Sequence, residues 1–171
     1  MKIVMHRVVV IGNAAGGKST MSKKLSVSQG LPLYTVDKFQ WKPDMTHIPQ
    51  RELEQPLRTL TEREHWIIDG WGPWELIEER FEKADTIILI DHPVWIHFWW
   101  AFKRLVKAIF SPKRGNYNLI VVAGRFLKII WMIHKKARPR LLNLVDAYRE
   151  DKRVYHIKSP RTLKDFELRH C

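Results

Sequence analysis

Short runs of β-branched residues alternate with stretches of helical periodicity through the first half of the chain. Arg7-Val-Val-Val-Ile11 ends at Gly12 and predicts a buried parallel strand. Lys18–Gln29, stopped by Gly30, predicts a helix, and Leu31-Pro-Leu-Tyr-Thr-Val36 a second strand closed by Asp37. Residues 49–64 form a polar helical stretch, His65-Trp-Ile-Ile-Asp69-Gly70 a third strand, Pro73–Glu82 a helix, and Thr86–Ile90 a fourth strand ending at Asp91. The second half reads differently. Residues 94–108 and 118–150 are helical in pattern, separated by the turn-rich Ser111-Pro-Lys-Arg-Gly-Asn116, before a fifth strand at Arg153–Ile157 and a closing helix at Arg161–Leu168. This alternation predicts an α/β fold with a parallel sheet covered by helices on both faces.

At 171 residues with 45% hydrophobic and 28% charged, the chain is long enough for one domain with a real core and too apolar to stay disordered. Its only cysteine, Cys171, excludes a disulfide scaffold and fits a reducing, cytoplasmic setting. The N-terminal residues carry no secretory pattern, and the longest apolar runs, Val94–Phe102 and Leu119–Ile133, fall short of the roughly 18 residues of a membrane span. A soluble protein is expected. Charge adds more than its net value of +12: residues 1–91 hold 12 basic and 13 acidic side chains, whereas residues 92–171 hold 18 and 5. Lys103–Arg140 contains 11 basic residues and no acidic one, the footprint of an anionic partner or of a solvated basic surface.

Gly12-Asn13-Ala14-Ala15-Gly16-Gly17-Lys18-Ser19-Thr20 is a full Walker A (P-loop) pattern set between a strand and a helix. Glycines let successive backbone N–H groups curl around phosphate oxygens at a helix N-terminus, where the dipole favours negative charge. Lys18 is expected to reach the β- and γ-phosphates of ATP and the Ser19 hydroxyl to hold Mg²⁺. A second, carboxylate contribution to Mg²⁺ comes from the end of a neighbouring strand, where ligands of open α/β sheets bind. Asp37, Asp69 and Asp91 all end strands. Asp69 ranks first on the metal side, directly or through water, and Asp37 first on the acceptor side. Asp91 precedes Pro93 and reads more as a capping residue.

Gly12–Thr20, Asp37-Lys-Phe-Gln-Trp41-Lys-Pro43, Trp66-Ile-Ile-Asp69-Gly70 and Ile88-Leu-Ile-Asp91-His-Pro93 together resemble the adenylate-kinase-like P-loop proteins of the DNA topology modulation (FlaR-related) family. The resemblance runs over nearly the whole chain. It implies a nucleoside-monophosphate-kinase-like, three-layer αβα fold with a five-stranded parallel sheet and a helical basic lid. Its core would comprise 1–37, 65–104 and 150–171, with an acceptor-binding insert near 38–64 and a lid near 105–140. It further implies that Asp37 receives a substrate hydroxyl and that Arg138 and Arg140 fold over the transferring phosphoryl group. Of the two arginines that adenylate kinases carry seven and eleven residues beyond the proline, Arg104 is present and Trp100 stands in place of the other. Gly70 is followed by Trp71-Gly-Pro-Trp74, not by the AMP-binding pattern, which argues against AMP as acceptor.

Of the 8 tryptophans, Trp95, Trp99, Trp100 and Trp131 lie in the basic half, where helical spacing assigns most of them to the core. Aromatics interleaved with basic residues also fit a single-stranded nucleic-acid platform, and a basic amphipathic helix against anionic lipid is a third reading. The 8 histidines show no i, i+4 ligand pair, so no structural zinc is assigned. Two functions follow: a Mg·ATP-dependent phosphotransferase with a small acceptor, or a nucleic-acid-binding ATPase affecting DNA topology.

Overall fold

The computed structural model describes residues 3–36, 50–110 and 119–171; for residues 50, 51, 53 and 119–123 it describes the backbone alone. Asp37 therefore lies outside the described residues. Strands β1 (Arg7–Gly12), β2 (Leu33–Thr35), β3 (Trp66–Asp69), β4 (Thr86–Ile90) and β5 (Arg153–Ile157) form one sheet in the order β2-β3-β1-β4-β5, every pairing parallel. The helices are α1 (Lys18–Gln29), α2 (Gln50–Thr61), α3 (Trp74–Lys83), α4 (Val94–Ile109), α5 (Leu119–Met132), α6 (Arg138–Ala147) and α7 (Pro160–His170).

Alternation along the strands builds two cores. Val9 and Ile11 join Ile68, Ile87 and Leu89 on one face, packed by Leu57 of α2, Ile77 of α3 and Val145 of α6. Val8 and Val10 join Ile67, Ile88 and Ile90 on the other, packed by Leu25 of α1 and Phe166 of α7. Each fully buried aliphatic side chain contributes about 1.5–3 kcal/mol relative to exposure. With Val8 to Ile11 all fully buried, β1 is the axis of both cores and a rigid base for the loop that leaves it. The three-layer α/β architecture expected from the sequence is the one observed.

Two boundaries differ from the sequence pattern for physical reasons. Leu31 donates its N–H to Ser26 O at 3.0 Å in closing α1, and Pro32 has no N–H, so β2 begins only at Leu33. The helical stretch 118–150 divides into α5, a π-helical turn at Ile133–Ala137 and α6, with Pro139 in the first turn of α6. Proline cannot donate to the preceding turn, and the wider π turn accommodates the missing bond. Among the described residues no helix is long and apolar enough to cross a membrane.

Candidate nucleotide site at the carboxyl end of the sheet

The strand order reverses at β1, which has β3 on one side and β4 on the other. The loop leaving β1 therefore opens at the topological switch point, where open α/β sheets bind ligands. Gly12 ends β1 at φ 147, and a Cβ there would stand 2.1 Å from the Ile90 carbonyl oxygen, so only glycine lets the loop turn over the end of β4. Gly17, at φ 85, starts α1; a Cβ there would press on Leu163 at 3.1 Å and on the Trp100 ring at 3.2 Å. The first turn of α1 carries no acidic residue and no side-chain cap, leaving the positive end of the helix directed at the loop.

Side chains remote in sequence hold this loop. The Trp71 indole N–H donates to Gly12 O at 2.7 Å, and Asn13 Nδ2 donates to Ile130 O of α5 at 3.0 Å. His97 Nδ1 is 2.8 Å from Ala14 O; since a carbonyl only accepts, Nδ1 carries the proton. Burial lowers the His97 pKa to about 4, so the ring is neutral at pH 7 and donates without adding charge. Lys18 Nζ folds back onto Asn13 O at 2.7 Å, within the loop whose phosphate-binding role its sequence predicts. Ser19 is exposed at the start of α1.

Asp69 ends β3, two strand positions from the loop by its pairing with Val10, and is only 1% exposed. The buried Asp69 carboxylate and the exposed Ser19 hydroxyl, the two groups the sequence assigns to the metal, are both hard oxygen donors of the kind that suits Mg²⁺ shared with phosphates. The turn after it is pinned by Arg80, whose Nη1 donates to Gly70 O at 3.1 Å and whose Nε donates to Leu76 O at 3.0 Å. Burial lowers the Arg80 pKa to about 10, still leaving it charged at neutral pH.

The expected basic residues are dispersed. Arg104 borders a groove beside Ala15, Gly17, Thr20 and Trp100, on the outer side of the loop. Arg138 makes a bidentate pair with Asp91, Nε to Oδ1 at 2.6 Å and Nη2 to Oδ2 at 2.8 Å. Together they border the cleft that also contains Gly12 and Asn13. Arg140 turns away: it pairs with Glu78 at 2.9 Å and covers the Trp74 ring at 4.2 Å. Asp91 does not cap α4, whose N-cap is Pro93 without a side-chain cap; the carboxylate is taken by Arg138 and, at 3.0 Å, by His156 Nε2.

Burial pushes the Asp91 carboxyl up, but the hydrogen bonds from Arg138 and His156 outweigh it and hold the pKa below the ordinary value. A depressed carboxylate contributes stability that is present above about pH 4 and lost as pH falls through the folded value. Asp91→Asn should therefore cost about 1–2 kcal/mol at pH 7, discounted because Arg138 is partly exposed, and progressively less as pH is lowered from about 4 towards about 2.5. Thermal melts of both proteins across that range check it; a pH-independent difference would contradict the pairing.

Sequence reasoning missed His97, Trp71 and Arg80. Their only signal was position, just after β4 and β3, where side chains naturally meet the loop leaving β1.

No family model matches the chain. It is 35% identical over 101 residues to shikimate kinase of Aquifex aeolicus (strain VF5), a match covering 51% of this chain and 60% of that relative. Among solved structures it is similar to shikimate kinase from Acinetobacter baumannii in complex with shikimate, with TM-score 0.56 and 13% identity over 96% of this chain and 89% of that one. A gluconokinase from Sinorhizobium meliloti 1021 is similar over 99% and 91%, with TM-score 0.57 and 12% identity. The fold is thus the P-loop kinase fold found in shikimate kinases and gluconokinases.

Proposed function

We propose that the chain is an ATP-dependent phosphotransferase that moves the γ-phosphoryl group of Mg·ATP to a small hydroxylated acceptor in the cytoplasm. The observation that carries this is the complete P-loop at the switch point, with Lys18 on the loop and Asp69 buried at the end of the adjoining strand. Catalysis in this chemistry is positioning and charge neutralisation. The backbone N–H groups of Asn13–Ser19 cradle the phosphates, and Lys18 leaves Asn13 O for the β- and γ-oxygens. Ser19 and Asp69 would hold Mg²⁺, which when bound neutralises charge on those oxygens.

Trp100 and Arg104, beside Gly17 in the outer groove, take the base and the adjacent phosphate. Arg138 serves the transferring group from the cleft over Gly12, exchanging Asp91 for phosphate. The contacts of Arg140 with Glu78 and Trp74 favour a clamp between α6 and α3 over the phosphate role its motif position implies. Asp37 and the insert 38–64 supply the acceptor side, and 105–140 the lid. Similarity to proteins named shikimate kinase and gluconokinase supports a small-molecule acceptor.

The nucleic-acid reading, and with it the topology-modulation family, rests on the basic half and on the Asp37-x3-Trp-Lys-Pro and Trp-Ile-Ile-Asp-Gly motifs. It requires DNA binding that weakens steeply with salt. Titration with Mg·ATP followed by calorimetry tests the phosphotransferase reading at its first step. Trp100→Ala should weaken binding about tenfold through lost base stacking; wild-type protein that does not bind Mg·ATP would refute the assignment.

A further inference from the structure

Most tryptophans of the basic half are not in the core, contrary to the expectation from their spacing. Trp95 is 65% exposed, Trp99 50% and Trp131 48%. Of the thirteen exposed large apolar side chains among the described residues, nine lie on α4, its C-cap Phe110 and α5. Chance scatter of single exposed residues would not gather them on two helices that pack together.

The patch has a defined geometry. On α4, Trp95, Trp99, Phe102 and Ile109 recur at helical spacing and form one stripe, while Ile96, His97 and Ala101 on the other side meet the protein. The Trp99 and Phe102 rings stack at 5.9 Å. On α5, Ile130 is fully buried with its carbonyl bound to Asn13, whereas Leu127, Ile129, Trp131 and Met132 are exposed. One edge of α5 thus meets the loop after β1, while Leu127, Ile129, Trp131 and Met132 are left facing outward.

Cations are placed within this apolar surface. Lys103 Nζ stands 5.1 Å from the Trp99 ring centre and Lys135 Nζ 5.1 Å from that of Trp131. Arg138 and Arg140 are paired with Asp91 and Glu78, but from Pro93 to Lys136 the sequence still has 9 Lys and Arg and no Asp or Glu, which favours an anionic partner. A second copy of the chain is disfavoured, because an isologous contact would set two such basic patches face to face. Nucleic acid would use the aromatic rings, but Ile109, Leu127, Ile129 and Met132 offer bases nothing to stack on. Aliphatic chains, tryptophans and long cationic stems exposed on two helices that pack together match the headgroup and acyl boundary of a bilayer, where lysine extends its charge outward and apolar side chains sink inward.

We propose that the outer face of α4 and α5 docks the protein on an anionic membrane surface, with Trp95, Trp99 and Trp131 inserted at the headgroup level. The docking is independent of the phosphotransferase assignment.

The test is co-sedimentation of the full chain with phosphatidylcholine vesicles with and without about 30% phosphatidylglycerol, with brominated lipid as the tryptophan quencher. The expected result is sedimentation with quenching on anionic vesicles, at least about tenfold stronger than on neutral ones. Trp95→Ser/Trp99→Ser/Trp131→Ser should abolish quenching, and Lys128→Glu/Lys135→Glu should weaken binding about tenfold, both with an unchanged melting temperature. No anionic-vesicle binding, or binding without quenching, would overturn the proposal. So would a dimer, seen by sedimentation velocity, that the tryptophan substitutions dissociate, or single-stranded DNA binding lost in the tryptophan variant while vesicle binding persists.

Discussion

Lys18→Ala is expected to lower phosphoryl transfer by at least about 10²–10³-fold while leaving the fold intact. Lys18 carries the one side-chain ammonium that the loop itself supplies, held 2.7 Å from Asn13 O at the mouth of the switch point. In a site that works by charge neutralisation, losing a fixed cation where negative charge accumulates raises the barrier directly. The side chain is only part-buried and packs in neither core, so its removal leaves no large cavity. Initial rates of ADP formation with a thermal melt of the same preparation separate chemistry from folding: the rate should collapse while the melting temperature stays within a few degrees.

Gly12→Ala is expected to act in the opposite order, on the fold first. Its Cβ would stand 2.1 Å from the Ile90 carbonyl oxygen, which is backbone and cannot rotate away. Gly12 is paired with Ile90 in the β1–β4 ladder, so relief of the clash must spread the two central strands, and φ 147 adds backbone strain. A loss of about 4 kcal/mol or more follows, enough to leave much of a marginally stable domain unfolded. Gly30→Ala is the control: its φ of 68 is also left-handed, but nothing lies within 4 Å, so it should cost only about 1–2 kcal/mol. Denaturant melts of the two variants should differ clearly, and equal losses would mean that the approach to Ile90 is not what fixes this glycine.

The strands and the phosphate loop were legible because their signals are local: β-branched runs, the glycine pattern, and Gly30 stopping α1. The two-core packing followed from alternation on β1. What was not legible depends on side chains distant in sequence. Asp91 reads as a cap next to Pro93, yet Arg138, 47 residues later, takes its carboxylate. His97 and Trp71 reach the loop across 83 and 59 residues. The tryptophans of α4 show a further limit. Periodicity defines the stripe Trp95, Trp99 and Phe102, but the sheet's cores are closed by other helices, so the stripe is left facing outward. Asp37 and the insert near 38–64 remain sequence-based proposals for the acceptor side.

The central claim is phosphoryl transfer to a small acceptor, and the most direct measurement is ADP formation from Mg·ATP across a panel of nucleoside monophosphates and small hydroxylated acids and sugars, with and without DNA. The account predicts a slow basal rate that one small acceptor stimulates, with formation of the phosphorylated acceptor and loss of both in Lys18→Ala. Stimulation by DNA alone, with no phosphorylated small molecule, would contradict it.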